Sequence, residues 1–241
     1  MKSFSLFLFI TLATAFATTS SYPASKLQGA WSNQTADVTQ VLLFSNGYFS
    51  WTSYKTGSGE FIQTKGGSFT FQSSQLVLTY EFSSADSVQV GTTEKWTLSQ
   101  KDEVLQFTDK AGKPFPLKAL DANVTTDLTG SWLMAGRKQD GNITRRDTTT
   151  PRKTMKILTG NRFQWIAYNT ETKQFSGTGG GTYTATDSTY TETIEFFSRD
   201  NKRVGMKLQF NFDVQGNDWH HSGKSSVGEA MYEVWAKRNE K

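Results

Sequence analysis

The 241-residue chain contains no cysteine. That excludes a disulfide scaffold, zinc–thiolate sites, iron–sulfur clusters, a thiol nucleophile and an N-terminal lipid-bearing cysteine. After residue 17 no stretch approaches the roughly 18 consecutive apolar residues that mark a membrane-crossing helix, so no transmembrane segment is expected. The common catalytic signatures are missing too: there is no G-x-S-x-G, no H-E-x-x-H, no Walker-type glycine loop and no dinucleotide fingerprint. Histidine is scarce, and both copies, His220 and His221, are adjacent. A non-enzyme is therefore expected, with no cofactor and no metal implied. What the chain does have is 7 Trp, 8 Tyr, 18 Phe and 20 Gly among many Thr and Ser, a composition of strands and tight turns.

The first residues carry an export pattern. Lys2 precedes an apolar run from Leu6 to Leu12, and Ala15-Phe16-Ala17 is a small-residue cleavage signal. Residues 1–17 read as a signal peptide, and a secreted or periplasmic location follows.

A repeat organises the rest. With a shift of 114 positions, Phe49-Ser50-Trp51 falls on Phe163-Gln164-Trp165, Tyr54 on Tyr168, Phe61 on Phe175, and Gly66-Gly67 on Gly180-Gly181. Glu81-Phe82 then meets Glu195-Phe196, and Val90-Gly91 meets Val204-Gly205. Such agreement without a gap marks a tandem duplication. The units open alike, Leu27-Gln28-Gly29-Ala30-Trp31 and Leu128-Thr129-Gly130-Ser131-Trp132, at a shift of 101, so the second carries 13 extra residues early on. The units run over 26–121 and 127–239, with the insertion around 137–153.

Within each unit the apolar period is two. Phe163, Trp165 and Ala167 alternate with Arg162, Gln164 and Ile166; Met206, Leu208, Phe210 and Phe212 alternate with Lys207, Gln209 and Asn211. Ser45-Asn46-Gly47, Thr159-Gly160-Asn161 and Gln215-Gly216-Asn217 supply the turns. About eight antiparallel strands per unit bury one face best by curling into a closed barrel. The expected fold is all-β, two tandem eight-stranded antiparallel barrels, with the strand glycines at 66–67 and 179–181 marking bulges or corners.

A G-x-W opening, here Gly29/Trp31 and Gly130/Trp132, resembles the calycin group of lipocalins, fatty-acid-binding proteins and avidin-like barrels. The second unit also resembles secreted bacterial lipocalin-like proteins of unassigned function. Phe163–Asn169, Gly177–Tyr183, Ile194–Asp200 and Trp219–Gly223 carry that likeness. The resemblance implies that the tryptophans plug one barrel end and that the other end admits a small molecule.

Candidate residues come from comparing the copies. Trp219 aligns with Leu105 and His221 with Phe107, which places both inside, with His220 outside opposite Gln106. Trp165, Tyr168, Phe210, Trp219 and His221 are the expected lining of the second barrel. Glu94 shares the inner parity and stands where the other copy has Leu208, which reads either as a polar contact in a first-barrel cavity or as a barrel-rim carboxylate that reaches water. Glu81 and Glu195 recur in both units and so read as structural. The chain after Val124 holds 17 Lys and Arg against 13 Asp and Glu. The excess of four lies between Arg137 and Lys153, which places Arg145 and Arg146 as a basic loop near the mouth.

The expected function is sequestration of a small lipophilic, amphipathic or anionic molecule, mainly in the second barrel, with no nucleic-acid partner. One alternative is a surface-interaction module whose barrels are filled by side chains. A third is an enzyme on a calycin frame, such as a haem-dependent one. Asn33-Gln34-Thr35, Asn123-Val124-Thr125 and Asn142-Ile143-Thr144 are N-glycosylation sequons that matter in a eukaryotic source.

Overall fold

A computed structural model describes residues 24–239, apart from 73–74, 102–103, 109–110 and 122–123. The signal-peptide reading of residues 1–17 and the sequon residue Asn123 lie outside the described residues.

Strands β1 (Gly29–Gln34), β2 (Val38–Ser45), β3 (Tyr48–Lys55), β4 (Phe61–Gln72), β5 (Gln75–Ser83), β6 (Thr93–Lys101), β7 (Val104–Thr108) and β8 (Pro114–Ala119) pair in chain order. β8 returns to β1 and closes the barrel. The second half repeats this with β9 (Gly130–Gln139), β11 (Arg152–Leu158), β12 (Arg162–Asn169), β13 (Phe175–Thr186), β14 (Thr189–Phe197), β15 (Lys207–Gln215), β16 (Asp218–Lys224) and β17 (Ala230–Lys237). β17 closes on β9. The chain is thus two closed eight-stranded antiparallel barrels in tandem. The short β10 (Asn142–Arg145) is an addition on the flank of β9.

The copies match in register, residue by residue. Leu42 faces Trp51 as Lys156 faces Trp165, and Phe69 faces Leu78 as Tyr183 faces Glu192. Register shifts fall between Gly66 and Gly67 in one barrel and between Gly180 and Gly181 in the other. These glycines are needed for close approach: a Cβ on Gly67 would run into the carbonyl of Thr79, and one on Gly181 into that of Thr193. The opening tryptophans also behave alike. Each is buried and donates its indole N–H to the carbonyl four residues earlier, Trp31 to Leu27 at 2.9 Å and Trp132 to Leu128 at 2.8 Å.

Outward faces of the two barrels pack together through a shared apolar cluster that includes Val41, Leu43 and Phe82 from the first, and Met155, Ile157 and Phe196 from the second. The contact is reciprocal. Tyr54 donates to Glu195 at 2.9 Å, and its counterpart Tyr168 donates to Glu81 at 2.7 Å. Tyr54 stacks on Phe196 at 5.2 Å, and Tyr168 packs on Phe82 at 5.0 Å. Phe61 and its counterpart Phe175 stack on each other with planes 6° apart. This is the pattern of a two-fold, isologous interface, built between two copies within one chain. Asp121 ties the joint to both barrels, accepting from the backbone N–H of Ala30 and from Thr159 Oγ1, at 2.5 Å each.

Candidate functional site

Inside the first barrel, Leu42, Leu78 and Phe107 are buried in one apolar core, with Phe115 packed against it. At the matching strand positions the second barrel carries Lys156, Glu192, His221 and Glu233. The first three follow at the shift of 114, and the last from paired registers, Phe107 opposite Phe115 and His221 opposite Glu233. Four apolar side chains in one copy are thus four ionisable ones in the other. Lysine and glutamate also trade places elsewhere. The first barrel has Lys65 and Glu94, each half-buried, where the second has Gly179 and Leu208. Lys65 lies over the rings of Trp51 and Tyr80, at 5.1 and 5.0 Å, and helps to fill the first interior. At Gly179 the equivalent space is taken by the rings of Trp165 and Phe197, each 2.8 Å from where a Cβ would stand.

The second barrel holds a cavity of about 400 Å³, inside the range of roughly 300–1,000 Å³ for small-molecule sites. Trp165, Phe197, Leu208, Phe210 and Met231 form its apolar wall. Lys156, Glu192, His221 and Glu233 form a polar floor, and Arg137 and Arg199 also line it. In the first barrel a smaller recess of about 270 Å³ is lined in part by Gln40, Trp51, Lys65 and Asp86.

Every charge on this floor is buried and has a partner. Lys156 Nζ donates to Glu192 at 2.8 Å, both side chains being about 5% exposed. The ammonium also sits among three aromatic rings, 5.2 Å from Tyr190, 4.9 Å from Trp219 and 5.1 Å from Trp235. Cation–π attraction therefore replaces part of its lost hydration. Tyr190 gives its hydroxyl proton to the same Glu192 oxygen at 2.9 Å, and burial raises its own pKa well above the usual phenol value. Glu233 accepts from Trp235 Nε1 at 3.2 Å and from Arg137 at 3.3 Å. Burial pushes the Glu233 carboxyl up, but His221, Lys156 and Arg137 outweigh it, and the group stays below the usual carboxylate range.

His221 is the exception. It is 2% exposed, its Nδ1 lies 3.7 Å from Glu233 Oε2, and neither ring nitrogen has a hydrogen-bond partner. Burial first, and then the charge of Lys156, lower its pKa below the ordinary 6.5, so the ring is neutral at neutral pH.

The sequence-derived candidates divide. Trp165, Phe210 and His221 line the cavity together. Trp219 is inside but fully buried, packed on His221 with ring centroids 5.2 Å apart. Tyr168 requires correction: it faces outward on the parity of Gln164 and Ile166 and belongs to the contact between barrels. The basic insertion is also not a free loop. Asp140 and Gly141, both with positive φ, turn β9 into β10 as a hairpin. Arg145 is consumed by Asp218 at 2.6 Å, and Arg146 donates to the Met134 carbonyl at 2.5 Å, so neither lines the cavity. Arg137, at the root of the same hairpin, does. His220 faces outward, with Nδ1 2.9 Å from the Tyr232 hydroxyl. Glu94 is half-buried and accepts from Tyr80, and Glu81 and Glu195 bridge the barrels.

Lys156, Glu192 and Glu233 were not among the sequence candidates. The signal for the first two was present: laid over the first copy at the shift of 114, they fall on Leu42 and Leu78, core positions in any half-buried strand.

Residues 127–241 match a family model described as Domain of unknown function (DUF4488), which covers the second barrel. No curated protein matches the chain. The two closed eight-stranded barrels fit a calycin-like fold. No helix among the described residues is long and apolar enough to cross a membrane.

Proposed function

We propose that the second barrel is a non-enzymatic binding site that sequesters a small amphipathic molecule, in a protein exported from the cell. The observation that carries this reading is the exchange of four core residues of one copy for a buried polar floor in the other, beneath an apolar cavity of about 400 Å³. Burying ionisable groups is costly, so a purely structural barrel gains nothing from them that leucine and phenylalanine do not supply more cheaply. The apolar wall gives a ligand its driving force, about 0.8 kcal/mol for each CH₂ withdrawn from water. The export pattern of residues 1–17 (Lys2, the apolar run from Leu6 to Leu12, and Ala15-Phe16-Ala17) supports a location outside the cytoplasm. The first barrel fits the side-chain-filled alternative, since Leu42, Leu78, Phe107 and Lys65 occupy its interior.

The test uses the uncharged fluorophore N-phenyl-1-naphthylamine. It should bind saturably, one molecule per chain, and quench tryptophan emission. Met231→Trp, which plugs the cavity from β17, should weaken binding tenfold or more while the unfolding midpoint stays within a few degrees. Absence of saturable binding, or full affinity in the plugged variant, would rule the second barrel out as the site.

A further inference from the structure

Resting on that reading of the second barrel, we infer that its ligand is an uncharged amphiphile whose polar end is a hydroxyl, donated to His221, and that carboxylate-headed molecules are turned away.

The floor assigns the head group through what it has already used. Lys156 is paired with Glu192, and the faces of Tyr190, Trp219 and Trp235 surround its ammonium. Tyr190's proton is committed to Glu192, and Trp235's indole N–H to Glu233. Arg199, at the cavity edge, gives two N–H groups to the Ser176 carbonyl. Among the described residues that line the cavity, His221 keeps two buried ring nitrogens without a partner, and Trp219 Nε1, on the ring packed against it, is unpaired as well. A buried group in that condition is destabilising until something pairs with it.

The ring's surroundings decide the sign of that partner. The Nδ1 side faces Glu233, which accepts, so the proton belongs on Nδ1 and Nε2 is left with a lone pair. The ligand atom opposite must therefore donate. A carboxylate has no proton to give at neutral pH, and it would enter a floor that already holds Glu192 and Glu233. Protonating the ring to receive it would set a second cation beside Lys156. An ammonium head has protons, but Lys156 already occupies the aromatic faces that would receive it, and repels it. A hydroxyl meets none of these penalties.

Three probes of equal length separate these cases: 1-octanol, octanoate and octylamine, each titrated against bound N-phenyl-1-naphthylamine at pH 7.5. Octanol is expected to compete at least tenfold more tightly than either charged analogue. His221→Phe, which installs the first barrel's residue, should weaken octanol at least fivefold, with the fluorophore's affinity for the same variant measured directly and used to convert the competition data. His221→Gln, which keeps an acceptor, should recover part of that loss. Octanoate or octylamine binding as tightly as octanol would overturn the inference, as would an unchanged octanol affinity in His221→Phe. Competition by none of the three, with the fluorophore still bound, would also overturn it. Failure of the fluorophore itself to bind strikes instead at the ligand-binding reading beneath.

Discussion

Replacing Lys156 and Glu192 together by leucine, with Tyr190→Phe to remove the orphaned hydroxyl, should leave the chain as stable as before or more so. Either charge removed alone should cost about 3–5 kcal/mol, because its partner is left buried and uncompensated. The asymmetry follows from the geometry. At 2.8 Å and about 5% exposure, each side chain depends on the other for what water would have supplied. Leu42 and Leu78 show that the first barrel closes with leucine at both of these positions. Urea unfolding of Lys156→Leu, Glu192→Leu and the combined variant measures this directly. A combined variant as unstable as the singles would mean that the pair holds the barrel together and is no sign of a binding site.

The second large effect lies between the barrels. Glu81→Ala should destabilise the protein by about 3–5 kcal/mol, whereas its counterpart Glu195→Ala should cost about 1 kcal/mol. Both glutamates accept from a tyrosine of the opposite barrel, but their cations differ in environment. Arg238 donates to Glu81 at 2.9 Å with its side chain only 9% exposed, and lies 3.8 Å from the centre of the Tyr48 ring. Without Glu81 that guanidinium stays buried with its charge unmatched. Arg162 pairs with Glu195 in a wetter place, where the carboxylate is 29% exposed and water takes over on loss of the partner. Equal losses in the two variants, read from urea midpoints, would show that the two-fold resemblance of the interface extends to its energetics and that Arg238 makes no difference.

Much of this architecture is legible in the sequence because strands enforce a period of two and the duplication shows it twice. That parity turns Trp165, Phe210 and His221 inward, where all three line the cavity. Tyr168 is different: its aromatic ring suggests a lining role, but it shares parity with Gln164 and Ile166 and lies between the barrels. Its recurrence as Tyr54 was the better guide, since a surface residue kept in both copies signals a face that both copies use. Glu81 and Glu195 recur for the same reason, and their partners lie across the interface, where no pattern within one unit can reveal them. The basic insertion was read by its charge, while Asp140-Gly141 already spelled a tight hairpin turn. The floor of the site is hard to read from sequence because a lysine on an inward position looks like a surface residue, and only the alignment of Lys156 with Leu42 marks it as interior.

Whether the interior of the second barrel is a binding site is tested most directly by the two histidines, which stand side by side on opposite faces of β16. Imidazole resonances of both are followed by NMR during titration with 1-octanol. The His221 signals should move with saturating occupancy and the His220 signals should stay in place, because one ring lines the cavity and the other faces out beside Tyr232. Signals of His221 that remain fixed while octanol binds, or that move no more than those of His220, would contradict the account.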